Sequence, residues 1–262
     1  MFLDGRAPPN GRRPGAAASP GAFLCGALMT VSGTLLLAAC GSGGGSQAAA
    51  GAARGNRATA SGGTSRAAGA RSAVGCRTVP NPPTHAGARA APPAAHLDRR
   101  HTYTVTLHTN CGDIVIALDV ERAPITASSF ASLVRQRFYD GLTFHRIVPG
   151  FVIQGGDPNG NGTGGPGYSV VEAPPSDLQY TRGVVAMAKT GADPSGTSGS
   201  QFFIVTAQNA GLPAQYALVG HIVGGEDAVE AISRVPTTTG PAGEEGAPST
   251  PVVIESASLA IS

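Results

Sequence analysis

An arginine, a carboxamide and several aromatic rings crowd one stretch of this 262-residue chain, Phe144-His145-Arg146-Ile147-Val148-Pro149-Gly150-Phe151-Val152-Ile153-Gln154-Gly155-Gly156-Asp157. Arg146 brings a planar guanidinium with several fixed donors and a permanent charge. In an extended run alternate side chains share a face. Phe144, Arg146 and Val148 are then expected on one side, with His145 and Ile147 on the other. Past the bend at Pro149-Gly150, Val152 and Gln154 are expected together, with Phe151 and Ile153 opposite. A cation, an amide and an aromatic ring thus converge on one shallow apolar patch. The stretch has no metal-ligand cluster, and no serine or cysteine nucleophile has an adjacent base. Its chemistry must rest on binding, hydrogen bonding and electrostatics.

Such a patch needs a rigid scaffold, and the chain from residue 101 onward supplies the elements for one. Tyr103-Thr104-Val105-Thr106-Leu107-His108 alternates and is β-branched, as strands are. A turn at Asn110-Cys111-Gly112-Asp113 leads back through Ile114-Val115-Ile116-Ala117-Leu118 as a hairpin. Ile125, Ser129, Phe130, Leu133 and Val134 fall near helical spacing, with Pro124 suited to the first turn. Apolar strands follow at residues 183–188, 201–206 and 217–223, then a short helix over 226–234 and strands at 252–254 and 257–261. Many short strands with two helices predict a mainly β fold, a closed barrel capped at its ends.

The arginine stretch closely resembles the signature of the cyclophilins, the cyclosporin-binding peptidyl-prolyl cis/trans isomerases. Asn161-Gly162-Thr163-Gly164-Gly165 is similar to the loop that follows it in that family. Gly183-Val184-Val185-Ala186-Met187-Ala188 and Gly199-Ser200-Gln201-Phe202-Phe203-Ile204 resemble its central substrate strands. The segments keep the family order across roughly residues 102–262. The resemblance implies a closed eight-stranded antiparallel barrel with an α-helix over each opening and an active groove on the outside of the sheet.

The chemical task it implies is rotation about an Xaa-Pro bond, slow because the nitrogen lone pair is delocalised into the carbonyl. A donor aimed at the prolyl nitrogen stabilises the twisted geometry in which that lone pair is localised, and Arg146 is the strong donor available. On the resemblance, Arg146 and Gln154 are the catalytic pair. Phe151, Val152, Phe203 and Leu212 form the proline pocket, while Gly162, Ala188, Lys189, Thr190 and Gln201 form the rim gripping residues before the proline. Tyr216 stands where the family often has a pocket histidine, and Lys189 where it often has asparagine. Gly211 stands where tight cyclosporin binders carry tryptophan, so weakened cyclosporin binding is expected. The plainer alternatives are that Phe203 is core and Arg146 closes a surface salt bridge.

Composition and the amino terminus place this domain. Nearly all aromatic residues fall from Tyr103 onward, and residues 41–100 are Gly, Ala, Ser, Pro and Arg with scarcely a large aliphatic side chain. That segment reads as a flexible linker, because it lacks the apolar surface to offset its ordering entropy. A net charge of +2, with Lys189 the one lysine, gives no basic stripe for nucleic acid. Arg6, Arg12 and Arg13 precede an apolar segment over 22–39 that ends in Leu37-Ala38-Ala39-Cys40-Gly41, similar to a bacterial lipoprotein signal. The expected division is signal 1–39, linker 40–100 and isomerase domain 101–262, with a lipid on Cys40 holding the protein at the extracytoplasmic side of the cell membrane. An uncleaved membrane span is the alternative. Cys25 leaves with the signal, and Cys76 and Cys111 remain as a pair for a disulfide or as two free thiols, which geometry decides. The expected partners are proline-containing client polypeptides and the membrane. No cofactor, metal or nucleic acid is expected, and the protein is expected to be a monomer. Two rival readings are a non-catalytic chaperone module that captures proline peptides in the same groove, and a surface interaction protein that works through its linker.

Overall fold

The computed structural model describes residues 75–239 and 245–262. The expected signal, Cys40 and the linker up to residue 74 lie outside them. Among the described residues no helix is long and apolar enough to cross a membrane.

Strands β1 (Tyr103–Thr109) and β2 (Gly112–Leu118) form the first hairpin, and their alternate residues Val105, Leu107, Ile114 and Ile116 are fully buried. Helix α1 (Pro124–Arg135) opens on Pro124, whose missing N–H is no loss in the first turn. A distant carboxylate serves the next two donors: Glu172 accepts from the Ile125 and Thr126 N–H groups at 3.1 and 2.7 Å. A negative charge there also suits the positive end of the helix dipole. The chain continues through β3 (Arg146–Val148), β4 (Val152–Gly155), β5 (Val170–Val171), β6 (Val184–Met187), β7 (Thr197–Ser198), β8 (Phe202–Val205) and β9 (Leu218–Gly224). Helix α2 (Glu226–Ser233), β10 (Thr237–Thr239), β11 (Glu245–Pro248) and β12 (Ile254–Ile261) complete it.

Among the described residues eight strands form one antiparallel sheet in the order β12-β1-β2-β9-β6-β8-β4-β3. The sheet curls until its two edges approach. The seam is bridged by a few bonds and carries no full ladder: Phe144 N–H donates to the Val252 carbonyl at 2.9 Å, and Ile254 N–H to that of Leu142 at 2.8 Å. The expected closed barrel is therefore an eight-stranded curl with a short bridge across its seam. Inside it Phe130, Tyr139, Phe144 and Phe202 pack with ring centroids 5.0–5.8 Å apart. Ala127, Phe130 and Leu133 of α1 and Ala228, Val229 and Ile232 of α2 bury one face of each helix in that same core.

Two side-chain faces differ from those expected by alternation. β3 begins only at Arg146, so Phe144 lies outside its alternation and is fully buried against Phe202. Phe151 belongs to the turn after β3, its N–H donating to the Val148 carbonyl at 3.0 Å, and it packs with Val152 and not with Ile153.

The linker reading also needs correction between residues 75 and 100, which run along the domain. Cys76 and Cys111 are disulfide-bonded. Leu97 is buried in the main core, and its N–H donates to Ser128 Oγ at 2.8 Å. Composition misleads here because this segment is held by a covalent staple and by backbone bonds to the domain, neither of which needs large apolar side chains of its own.

Candidate active site

The sheet has a second apolar cluster on its outer face. Strand alternation builds it: in β8, Phe202 and Ile204 point into the barrel while Phe203 and Val205 point out, and in β4 Ile153 points in while Val152 points out. Phe203 is 4% exposed, yet it belongs to this outer cluster with Val152, Tyr180, Ala186 and Leu218, flanked by Phe151, Ala188, Leu212 and Tyr216.

Pairing register sets the polar groups beside it. Arg146 lies opposite Gln154, Gln154 opposite Phe203, Phe203 opposite Ala186, and Ala186 opposite Leu218. These five residues form one rung across five strands, which at the usual strand spacing spans about 19 Å. Directly opposed residues share a face with Cβ atoms about 5 Å apart, so the guanidinium stem, the carboxamide and the Phe203 ring stand in a row. Arg146 is half-buried and pairs with no carboxylate among the described residues.

Gln154 Nε2 donates to Gln201 Oε1 at 3.1 Å, and Gln201 Nε2 donates to the carbonyls of Gly162 and Gly164, each at 2.9 Å. The Gln154 carbonyl oxygen is thereby left as the end that can accept from Arg146 or from a substrate N–H. The glycine loop is held in turn by Asp157, which is 1% exposed. Its carboxylate accepts the N–H groups of Asn159, Asn161 and Gly164 at 2.9 Å and of Gly162 at 2.5 Å. At Gly156 φ is +82°, and a Cβ there would come within 2.5 Å of the Ser200 carbonyl. Only glycine permits that close approach.

The opposite rim is also fixed. Lys189 Nζ donates to the Thr190 and Asp193 carbonyls at 3.1 Å and lies 5.7 Å from the centroid of the Tyr216 ring. The Thr190 hydroxyl and N–H both donate to Asp193 Oδ2, at 2.7 and 2.8 Å, and they hold its carboxyl below the usual range, with Lys189 adding a smaller push the same way. Tyr216 packs edge-on to Phe203 at 5.4 Å, and its backbone is clasped by the Tyr180 hydroxyl, which accepts from Tyr216 N–H and donates to its carbonyl. Burial pushes the Tyr180 hydroxyl up, so it stays protonated through the neutral range. Gln154, Gly162, Ala188, Lys189, Thr190 and Gln201 border a cleft of about 500 Å³.

The residues expected in the groove are in or beside it except Phe144, the ring expected beside Arg146 by alternation, whose place Phe203 and Phe151 take; Cys76 and Cys111 are joined at the main core, and Cys40 lies outside the described residues. Sequence reasoning gave no role to Asp157, Tyr180 or Asp193. The first had a usable signal, since Asp-Pro-Asn-Gly is turn chemistry in which a carboxylate takes backbone N–H groups. Asp193 closes its own turn on Thr190, three residues back, while Tyr180 is set by its tertiary contact with Tyr216.

This groove, on the outside of an eight-stranded antiparallel curl, defines a prolyl-peptide isomerase of the cyclophilin class. A family model described as cyclophilin type peptidyl-prolyl cis-trans isomerase matches residues 104–259, and the chain belongs to that family. The chain is 40% identical over 176 residues to peptidyl-prolyl cis-trans isomerase A of Mycobacterium tuberculosis, covering 60% of this chain and 92% of the relative. It is 41% identical over 150 residues to isomerase B of Streptomyces anulatus, covering 50% and 84%. Among solved structures, a Cryptosporidium parvum cyclophilin-type isomerase matches with a TM-score of 0.55 and 29% identity, covering 61% of this chain and 98% of that one. The same enzyme crystallised in the presence of the dipeptide Ala-Pro matches equally, with a TM-score of 0.55 at 28% identity.

Proposed function

We propose that this cyclophilin-type isomerase accelerates rotation about Xaa-Pro bonds in exported polypeptides, at the outer side of the cell membrane, anchored by a lipid on Cys40. The rung joining Arg146, Gln154 and Phe203 carries the catalytic part of the reading. A proline ring resting on Phe203 between Phe151, Leu212 and Tyr216 places its nitrogen on the Arg146 side of the pocket. There the guanidinium donates to the lone pair as the bond twists. A charged hydrogen bond contributes roughly 1.5–3 kcal/mol, one to two powers of ten in rate at about 1.4 kcal/mol per decade. The rest comes from binding the twisted state more tightly than either planar isomer. The rim contributes by holding the residues before the proline while the ring turns. No proton is transferred, and His145, which is buried, is given no part in the step.

Proline-containing ligands are supported by the related structure obtained with Ala-Pro. The extracytoplasmic reading is supported by the Leu37-Ala38-Ala39-Cys40 sequence and by the Cys76–Cys111 disulfide, a bond that persists in oxidising compartments. Arg146 beside Gln154 argues against a module that only captures proline, for which the apolar pocket would suffice.

The test is exchange spectroscopy on an Xaa-Pro peptide with the full-length chain and its Arg146→Ala variant. Acceleration that falls about 10- to 100-fold in the variant, with peptide binding largely kept, is the expected result. Peptide binding without acceleration by the unaltered chain would transfer the reading to the chaperone module.

A further inference from the structure

The segment just ahead of the family match is tied to the groove. Residues 76–97 precede residue 104, where the match begins, and form a strap with fixed contacts along its length. At one end is the Cys76–Cys111 disulfide, beside which Arg77 N–H donates to the Asn110 carbonyl at 2.8 Å. At the other end Ala91 exchanges two 2.9 Å bonds with the Gln136 carboxamide, and Leu97 enters the core. Between these anchors the strap makes two backbone bonds to a single loop. His85 N–H donates to the Pro158 carbonyl at 2.8 Å, and Ala90 N–H to the Pro166 carbonyl at 2.9 Å. The Arg89 side chain also lies over Gly167.

That loop is the rim of the groove. Its two ends, Pro158 and Pro166, are held by the strap, and its middle presents the Gly162 and Gly164 carbonyls to Gln201, which accepts from Gln154 beside Arg146. Glycine at 160, 162, 164, 165 and 167 gives the loop large conformational freedom. Asp157 gathers it from within, and the strap restrains it from outside.

We propose that the disulfide-stapled strap is a positioning element of the isomerase, clamping both ends of the rim loop so that Gln201 and the Gly162 and Gly164 carbonyls are held in register for the residues before the proline, while strand register holds Gln154. The inference rests on the isomerase reading. Losing the clamp weakens the grip on residues before the proline and leaves Arg146's own step intact, so its mark is a change in KM with kcat preserved.

The test uses the full-length chain in three forms: oxidised, reduced with a dithiol, and oxidised Ala90→Pro, which lacks the N–H to Pro166 but keeps the disulfide. In the reduction the S–S bond is replaced by two thiols, and the reagent closes to its own disulfide, supplying the two electrons and two protons. Amide hydrogen exchange is read at Gly162 and Gly164 and in β4 and β8, with KM and kcat for a peptide carrying several residues before its proline. The expected result, in both altered forms, is exchange about three- to tenfold faster at the two rim glycines, a similar rise in KM and a roughly unchanged kcat. Unchanged rim exchange and KM in both forms would overturn the proposal, as would acceleration spread equally through β4 and β8, which would make the strap a support for general stability alone. Absence of isomerase activity in the oxidised chain would count against the isomerase reading itself, while the exchange data still report whether strap and rim are coupled.

Discussion

Asp157 has the most concentrated role of any single side chain in the groove after Arg146. Four backbone N–H groups converge on its buried carboxylate. Asp157→Ala leaves them to find water or go unpaired, at a cost of about 1–3 kcal/mol. We expect a lower melting temperature and a raised KM in this variant, read by calorimetry and peptide kinetics. Gly211 has φ +64° with open space around it. Gly211→Trp would supply the indole N–H found in strong cyclosporin binders of the family, while placing an L side chain in the left-handed region costs about 1–2 kcal/mol. The expected outcome is tighter cyclosporin binding by titration calorimetry together with reduced thermal stability. Asp193 sets the pH behaviour of the far rim. Its folded-state carboxyl titrates below the usual range, chiefly through the two Thr190 donors. Its contribution is therefore complete above the ordinary aspartate range and is lost only as pH falls through the lower folded value. The Thr190 amide resonance should stay constant from pH 8 down to about 4 and move only below that.

Elements were more legible in the sequence than their joins. The hairpin of β1 and β2, helix α1 with Pro124 at its start, and the strands carrying Arg146, Gln154 and Phe203 could all be read from periodicity and turn residues, because alternation is a local property. Phe151 and Phe144 were misplaced because alternation holds only inside a strand, and both lie just beyond one. The groove roles came from resemblance, since neither spacing nor composition says that residues 146, 154 and 203 share a rung. The strap at 76–97 was misread for the opposite reason: its partners, Asn110, Pro158 and Pro166, are remote in sequence. Its staple gives a further prediction. Cys76 and Cys111 are 35 residues apart, and in the chain-entropy model a loop of that length contributes about 3–4 kcal/mol. The Cys76→Ser, Cys111→Ser double variant should lose stability of that order in denaturant titration.

At the scale of the whole molecule, a lipid on Cys40 would join the catalytic domain to a membrane. Cys40→Ser should abolish incorporation of labelled fatty acid and move the protein from the membrane fraction to the medium, while activity of the released protein on a short peptide stays unchanged. Retention in the membrane without the label would instead favour an uncleaved span. The single rung across five strands has a consequence for how such a protein comes into being. Arg146 and Gln154 face each other across one hairpin, but Ala186, Phe203 and Leu218 arrive from later parts of the chain, and pairings so remote in sequence close slowly. As the polypeptide is synthesised amino end first, its aromatic outer face is on display before β9 arrives to complete the grip. For that interval the newborn isomerase is itself an unfinished chain in need of shelter, with nothing yet to offer another.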